Sequence, residues 1–421
     1  VRAVVEVVPL VALGLALAAL IALVVWQPHR GLVVGAVAAL AIALLGRAAE
    51  PGDLLDAARA QWRAFVTLLA VLLMTSLAEH MGVLARLAQA IEPRTRGPVR
   101  RAFRFTFVAA AVVSTLVSND AAIVIMTPTV ITLLRTVYPK RYPKFIAPFA
   151  FAIFTAAGIA PLVTSNPMNL IFAEHVGLGF NQYALVMAPL ALVSWGITYA
   201  ALSWCFREVL ADEAPALGAW PERPPPLRWP ALLVACTWAA VLLAYPVVAY
   251  LDGPLWVVGA IGATICVGAG AAAGVRPRAV IGGVPWGLFP FLTCVYVLAL
   301  GLQRAGAAAA LADVYAAGPT VPTIGAISAA GSALFNNHPM SVLSAMALPP
   351  GDGTLGAYAA LVGGDLGPRL LPMGSLAGLL WLHALRRTGD EVPLRQFVRI
   401  GVVTGVPALV GSLALLWLMH R

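Results

Sequence analysis

Apolar stretches approaching 20 residues recur from one end of this 421-residue sequence to the other. As a helix, each is long enough to cross a hydrocarbon core about 30 Å thick. A chain built this way reads as an all-α polytopic membrane protein. Composition agrees, with 61% hydrophobic and 11% charged residues, against about 25% charged in a soluble domain. A soluble enzyme, a disordered chain and a nucleic-acid binder are therefore poor candidates. No GxxxxGK[ST] sequence occurs, so the chain carries no ATP-binding loop of that kind.

Spans are read at 8–26, 31–46, 64–80, 145–176, 183–206, 230–250, 254–274, 284–302, 356–385 and 397–419. The first reads as a retained span rather than a cleaved signal peptide. Segments 81–104, 135–144, 207–229, 275–283 and 386–399, together with Arg30, hold 20 of the 27 Lys and Arg residues. Cytoplasmic loops carry such an excess, which places these segments inside and both termini outside. Arg2, Arg47, Arg59, Arg63, Arg304 and Arg421 fall on the outer face, where loop 47–63 also carries Glu50, Asp53 and Asp56. Arg369 alone is left at membrane depth. The net charge of +9 is thus an inner-face bias, not a nucleic-acid surface. Trp26, Trp62, Trp229 and Trp286 mark span ends, as an aromatic belt requires.

Two further apolar regions behave differently. Segment 102–134 has basic loops at both ends, so it enters and leaves on the cytoplasmic side. Its two arms, about 15 residues each, are too short to cross at ~1.5 Å per residue. The polar triplet Ser118-Asn119-Asp120 falls at the turn, which predicts a re-entrant helical hairpin. Segment 319–348 repeats the plan from the outer side, with Asn336-Asn337-His338 and Pro339 at its tip. Each hairpin precedes a long apolar segment with a break. The first break reads from Ala160-Pro161 to Pro167-Met168-Asn169. The second runs through Gly363-Gly364-Asp365-Leu366-Gly367-Pro368-Arg369 and Pro372-Met373-Gly374-Ser375. Pro removes a backbone donor and Gly weakens a helix, so both segments should unwind locally. The order predicts an inverted repeat of two five-span halves. The first is 1–206 (hairpin 102–134, broken helix 145–176) and the second 230–421 (hairpin 319–348, broken helix 356–385). A cytoplasmic linker, 207–229, carries Pro221, Pro224, Pro225 and Pro226. Secondary transporters use this plan, with the site between discontinuous elements at the midplane.

Of the 18 acidic residues, Asp120 and Asp365 alone fall near mid-membrane, one in each half. An ionisable group there is costly and becomes a functional candidate by default. A carboxyl group taken out of water holds a proton more readily, which suits proton coupling. The competing readings make Asp120 a cap of the returning arm and pair Asp365 with Arg369, four residues on. Asn119, Thr164, Ser165, Asn166, Asn169, Asn336, Asn337 and Ser375 lie at the tips and breaks. There they can hold a polyhydroxylated solute or satisfy the backbone that the breaks expose. His338 can titrate or donate a hydrogen bond. Cys205, Cys236, Cys266 and Cys294 are isolated and show no ligand spacing, so neither a metal site nor a cofactor is expected. The membrane aspartates lack the GxGD sequence of intramembrane proteases.

Specific motifs add to this reading. They are Val25-Trp26-Gln27-Pro28, Asn119-Asp120 with Thr127-Pro128, Ser165-Asn166 with Asn169, Gly177-Leu178-Gly179-Phe180, and Asn336-Asn337 with Pro339. The most specific run is Gly364-Asp365-Leu366-Gly367-Pro368-Arg369, Pro372, Gly374-Ser375-Leu376-Ala377 and Leu379-Leu380-Trp381-Leu382-His383. With these the sequence resembles the arsenite/antimonite efflux permeases of the ArsB type, in the ion transporter superfamily. The resemblance implies a prokaryotic inner-membrane antiporter that exports small neutral metalloid hydroxides, As(OH)3 or Sb(OH)3, in exchange for protons, and so confers arsenical resistance. It also implies, for some members, a soluble ATPase subunit on the cytoplasmic face, with the chain as the channel of a pump. Asn119, Asn337, Ser165 and Ser375 would line the substrate site, and Asp120 with Asp365 would carry protons. The sequence departs from the pattern at Ala156, Pro167, Met168 and His338. The alternative within the superfamily is a cation-coupled carrier of dicarboxylate or another small anion.

Overall fold

The computed structural model describes residues 2–26, 28–83, 86, 98–138, 140–212, 226–348 and 354–421. Arg94 and Arg96 of the charge pattern, and Pro221, Pro224 and Pro225 of the expected linker, lie outside the described residues. Three helices come first, α1 (Arg2–Trp26), α2 (Pro28–Leu45) and α3 (Pro51–His80). A hairpin of α4 (Val99–Leu116) and α5 (Asn119–Val137) follows, then a split helix, α6 (Tyr142–Ala156) and α7 (Pro167–Val176), then α8 (Phe180–Cys205). After the short α9 (Arg207–Leu210) come α10 (Trp229–Tyr250), α11 (Leu255–Ala272), the short α12 (Pro277–Gly282), α13 (Leu288–Arg304) and α14 (Ala307–Ala316). A second hairpin, α15 (Thr320–Phe335) and α16 (Asn337–Ala347), leads to a second split helix, α17 (Thr354–Leu366) and α18 (Leu376–Arg387), and to α19 (Leu394–Met419).

Among the described residues, α3, α8, α10, α11 and α19 are each long and apolar enough to cross a membrane. Helices α13 and α14 would make a sixth span across a 77° bend. Apolar side chains such as Leu185, Leu243 and Val247 point outward, as lipid-facing surfaces do. The chain is a multi-pass membrane protein.

Both hairpin tips fall where the polar triplets placed them. Helix α4 stops at Leu116 and α5 begins at Asn119, while α15 stops at Phe335 and α16 begins at Asn337. One expectation needs correction. Segment 47–63, read as an outer loop, is helical from Pro51 onward. Proline suits a first helical position, and the Glu50 N–H donates to Asp53 Oδ2 at 2.7 Å, so these polar residues start α3 rather than interrupt it. Asp53 also accepts two bonds from Arg304 at the end of α13, at 2.9 and 2.5 Å. That fork joins α3 to α13. Asp53→Ala is expected to cost about 1–2 kcal/mol, read as a lower thermal midpoint in detergent, because a half-exposed guanidinium loses a bidentate partner.

The packing is reciprocal. The returning arm of each hairpin lies against the far half of the other split helix, α5 on α18 and α16 on α7. The same exchange sets α3 against α11 and α13 against α2, and α8 packs on α19. Where α15 meets the second split helix, the contact is backbone to backbone. A Cβ on Gly363 would lie 2.4 Å from the Gly325 carbonyl oxygen, and one on Gly367 would lie 2.2 Å from that of Ala329. Small residues permit this close approach between helices that gain nothing from burying apolar surface in lipid. Beside the second break, buried Trp381 packs on Phe154, Phe151 and Phe397 at ring separations of 5.0, 5.1 and 5.8 Å. Its indole N–H donates to the Ala150 carbonyl at 3.1 Å. This cluster fixes α18 to α6 and α19.

Candidate functional site

The first split helix ends at Ala156 and resumes at Pro167, three residues earlier than the Ala160-Pro161 signal implied. The second ends at Leu366, passes through the 3-10 turns Gly367–Arg369 and Pro372–Gly374, and resumes at Leu376. The two breaks and the two hairpin tips surround a cavity of about 30 Å³, room for roughly two waters. Its wall includes Asn119 and Asp120 from the first tip, Asn337 and His338 from the second, Asn166 from the first break, and Asp365, Arg369 and Ser375 from the second. Protein buries both breaks and a cavity borders them, the conditions under which non-helical backbone is tolerated within a membrane protein.

Each side chain at the breaks has a structural task as well. Asn166 caps α7, its Oδ1 accepting from the Met168 N–H at 3.1 Å, and its Nδ2 donates to Asp365 Oδ1 at 3.0 Å. Ser375 caps α18, its Oγ accepting from the Gly378 N–H at 3.0 Å. The Ala160 N–H donates to Asp365 Oδ2 at 2.9 Å, and Asn169 Nδ2 reaches both carboxylate oxygens at 3.1 and 3.2 Å. Asp365 therefore fastens the first break to the second.

The expected pairing of Asp365 with Arg369 gives way to other bonds. Arg369 is fully buried and donates to Thr198 Oγ1 at 2.8 Å and to the Thr155 carbonyl at 2.7 Å. Among the described residues no ion pair joins it to Asp365. On a continuous α-helix positions i and i+4 share a face, but the tighter 3-10 turn rotates Arg369 away from Asp365.

Seven of the eleven candidate residues line the cavity: Asn119, Asp120, Asn166, Asn337, His338, Asp365 and Ser375. The other four do not. Asn169 stands behind Asp365, and Ser165 donates to the Thr115 carbonyl at 2.8 Å, tying the break to α4. Thr164 is buried in the turn Val163–Ser165. Asn336 takes φ 77° with ψ 144°, a positive-φ conformation outside the left-handed helical well that residues other than glycine rarely adopt. Its Nδ2 donates to the Met373 carbonyl at 3.0 Å, and it borders a smaller cavity of about 10 Å³ with Leu20, Phe291 and Met373.

Sequence reasoning missed Thr155, Thr198, Gly158 and Tyr183. Gly158 had a signal, a glycine just before the break. A Cβ there would sit 2.9 Å from Arg369 Nε, so the guanidinium occupies the space that glycine leaves. Tyr183 had none. Its hydroxyl donates to the Ala160 carbonyl at 2.9 Å and accepts from Asn169 Nδ2 at 2.7 Å, joining α8 to the first break.

Four buried polar atoms on the cavity residues have no protein partner: Asn119 Oδ1, Asn337 Oδ1, His338 Nε2 and Arg369 Nε. His338 Nδ1 lies 3.3 Å from Asn336 Oδ1, an acceptor. The proton therefore sits on Nδ1, and Nε2 is left as an acceptor. The residues of the wall thus carry three unmet acceptors and one unmet donor. Leaving such groups unpaired costs about 1–3 kcal/mol each, which a ligand of matching chemistry would recover. None of the four cysteines lines this cavity; they lie on α8, α10, α11 and α13.

The model of the family described as ArsB, arsenical pump membrane protein, matches residues 11–419. The chain is 30% identical over 417 residues to the arsenical pump membrane protein of Yersinia enterocolitica, covering 94% of this chain and 95% of that one. Against the protein of the same description from Escherichia coli (strain K12), identity is 29% over 420 residues, covering 94% and 96%. Among solved structures, the YdaH transporter of Alcanivorax borkumensis shares the fold with a TM-score of 0.58. That match has 16% identity and covers 87% of each chain.

Proposed function

The chain belongs to the ArsB family of arsenical pump membrane proteins, and from that premise we propose that it exports trivalent metalloid hydroxides, arsenite and antimonite, across the inner membrane in exchange for protons. The observation that carries this reading is the set of unmet atoms around the cavity. As(OH)3 and Sb(OH)3 each offer three hydroxyl protons and several oxygen lone pairs. Three acceptors and one donor suit such a solute, and Asn119, Asn337 and His338 would receive its hydroxyls while Arg369 Nε donates to an oxygen. A soft thiol cage, which would hold As(III) too tightly to release it, forms no part of the wall.

Alternating access in this reading uses two halves, 1–206 and 230–421, in opposite orientation, with both termini outside. The reciprocal packing of tips on breaks supports that division. Asp120 borders the cavity and is the leading proton carrier, with Asp365 beside it. A dicarboxylate carrier would need free positive charge at the site, and Arg369 has already given two of its nitrogens to Thr198 and Thr155.

The test is uptake of arsenite and antimonite by inverted membrane vesicles under an imposed pH gradient. Gradient-driven uptake is the expected result. Sodium-driven carboxylate movement with no metalloid uptake would sink the proposal, and uptake only after addition of a soluble ATPase would make the chain a pump's channel subunit instead. Asn119→Ala and Asn337→Ala are each expected to raise KM for arsenite about tenfold, the loss of roughly one hydrogen bond, with the folded yield unchanged by size-exclusion chromatography.

A further inference from the structure

Asp120 and Asp365 face the same cavity in opposite chemical surroundings. Every partner of Asp365 is a donor whose direction is fixed. The Ala160 N–H is backbone and cannot turn around. Asn166 cannot flip, because its Oδ1 already accepts from the Met168 N–H. Asn169 cannot flip either. Tyr183 spends its hydroxyl proton on the Ala160 carbonyl, so it can only accept from Asn169 Nδ2. Both carboxylate oxygens of Asp365 are thus met by N–H groups. A proton on either oxygen would point at an N–H and would break the joint between the two breaks.

Asp120 differs on each count. It is part-exposed to the cavity, and among the described residues no hydrogen bond or ion pair engages its carboxylate. The titratable or charged groups that share its cavity are Asp365 from α17, Arg369 from the second break and His338 from α16. Helices α4, α6 and α18, which pack against α5, place no charged residue in the wall. Arg369 balances Asp365 in formal charge, and His338 holds its proton on Nδ1 toward Asn336. One uncompensated charge remains, that of Asp120.

We propose that Asp365 is a permanently charged positioning residue that clasps the two breaks together, and that Asp120 is the one carboxylate of the cavity that exchanges a proton, so that one proton enters for each neutral solute exported. This rests on reading the chain as a proton-coupled exporter. With the site open to the outside, Asp120 takes a proton as the solute leaves. With the site open to the cytoplasm, it gives that proton to water as the next solute binds. One positive charge moves inward per turn, and nothing else changes oxidation or protonation state.

The experiment uses purified full-length protein in proteoliposomes, with the membrane potential clamped at zero, imposed pH steps and arsenite as the solute. One proton per solute supports a roughly tenfold steady-state arsenite ratio per pH unit, and two protons a roughly hundredfold ratio. The tenfold ratio is expected, and a hundredfold ratio would overturn the inference while leaving the exporter reading intact. Absence of any pH-driven accumulation would overturn both. Arsenite–arsenite exchange across a range of symmetric pH gives a second readout. Asp120→Asn is expected to flatten its pH profile, whereas Asp365→Asn, which turns a carboxamide N–H toward fixed donors, stops exchange at every pH. A flat profile in Asp365→Asn beside a sloping one in Asp120→Asn would reverse the assignment. If either variant fails to fold, the wild-type ratio alone decides.

Discussion

Asp365→Ala is expected to abolish transport and to lower the thermal midpoint in detergent more than any other single change at the cavity. The carboxylate accepts from the Ala160 N–H, Asn166 and Asn169, all buried inside the protein. Alanine leaves those three donors short of a partner, at about 1–3 kcal/mol each, for a total on the order of 3–9 kcal/mol. It also removes the negative charge nearest to buried Arg369, which adds to the penalty. The functional loss should exceed the stability loss, because Asp365 belongs to one split helix and its donors to the other. Without it, Asn166 and Asn169 no longer hold the first break in register with the second, and the cavity loses a wall. Fluorescence-detected size-exclusion chromatography and arsenite uptake, measured on the same preparation, separate the two effects. Wild-type uptake by Asp365→Ala would refute the clasp.

Gly401→Ala is the second large effect, and it acts through the backbone of Arg369 rather than on a side chain of the cavity wall. Helix α19 passes the second break so closely that a Cβ on Gly401 would lie 1.9 Å from the Arg369 carbonyl oxygen and 2.9 Å from its carbonyl carbon. These are backbone atoms, which cannot swing aside as a side-chain terminus could. One turn on, a Cβ on Gly405 would meet Arg369 Cβ at 3.3 Å, a contact that a small shift can relieve. Gly401→Ala should therefore cost several times as much as Gly405→Ala, about 3 kcal/mol or more against roughly 1 kcal/mol. Arg369 is the anchor of the turn, with Thr198 and the Thr155 carbonyl as partners, so displacement of its backbone pulls on both. The comparison of the two alanine variants by thermal midpoint and arsenite uptake is the check. Equal stability in both would show that α19 does not press on the break.

Much of this architecture was legible in the sequence, for physical reasons that act locally. Pro161 and Pro167 in one apolar segment, and Gly367, Pro368 and Pro372 in another, crowd helix-weakening residues into a few positions, whereas the single prolines Pro128, Pro148 and Pro189 stay inside continuous helices. Ser118-Asn119-Asp120 and Asn336-Asn337-His338 interrupt helices because their side chains compete for backbone groups, and the charge of the flanking loops and the shortness of the arms pointed to the same turns. Asp120 and Asp365 stood out because a carboxylate at membrane depth needs a reason. Segment 51–63 misled because charged residues read as loop, although Pro51 and Asp53 are also the residues that begin a helix.

The sequence by itself determined that the chain spans a membrane and that two of its apolar segments carry breaks. Those properties follow from hydrophobic length and backbone covalent chemistry, which each segment carries on its own. Only the tertiary structure decided what the polar residues do. Spacing set Arg369 beside Asp365, yet a 3-10 turn rotates it to Thr198 and Thr155, residues 171 and 214 positions away. Asp365 finds its donors 196 to 205 positions away, and Tyr183 fixes the direction of one of them. Hydrogen bonds are short and directional, so a polar side chain gets its role from whichever donor or acceptor folding brings within about 3 Å. No pattern along one chain encodes that meeting.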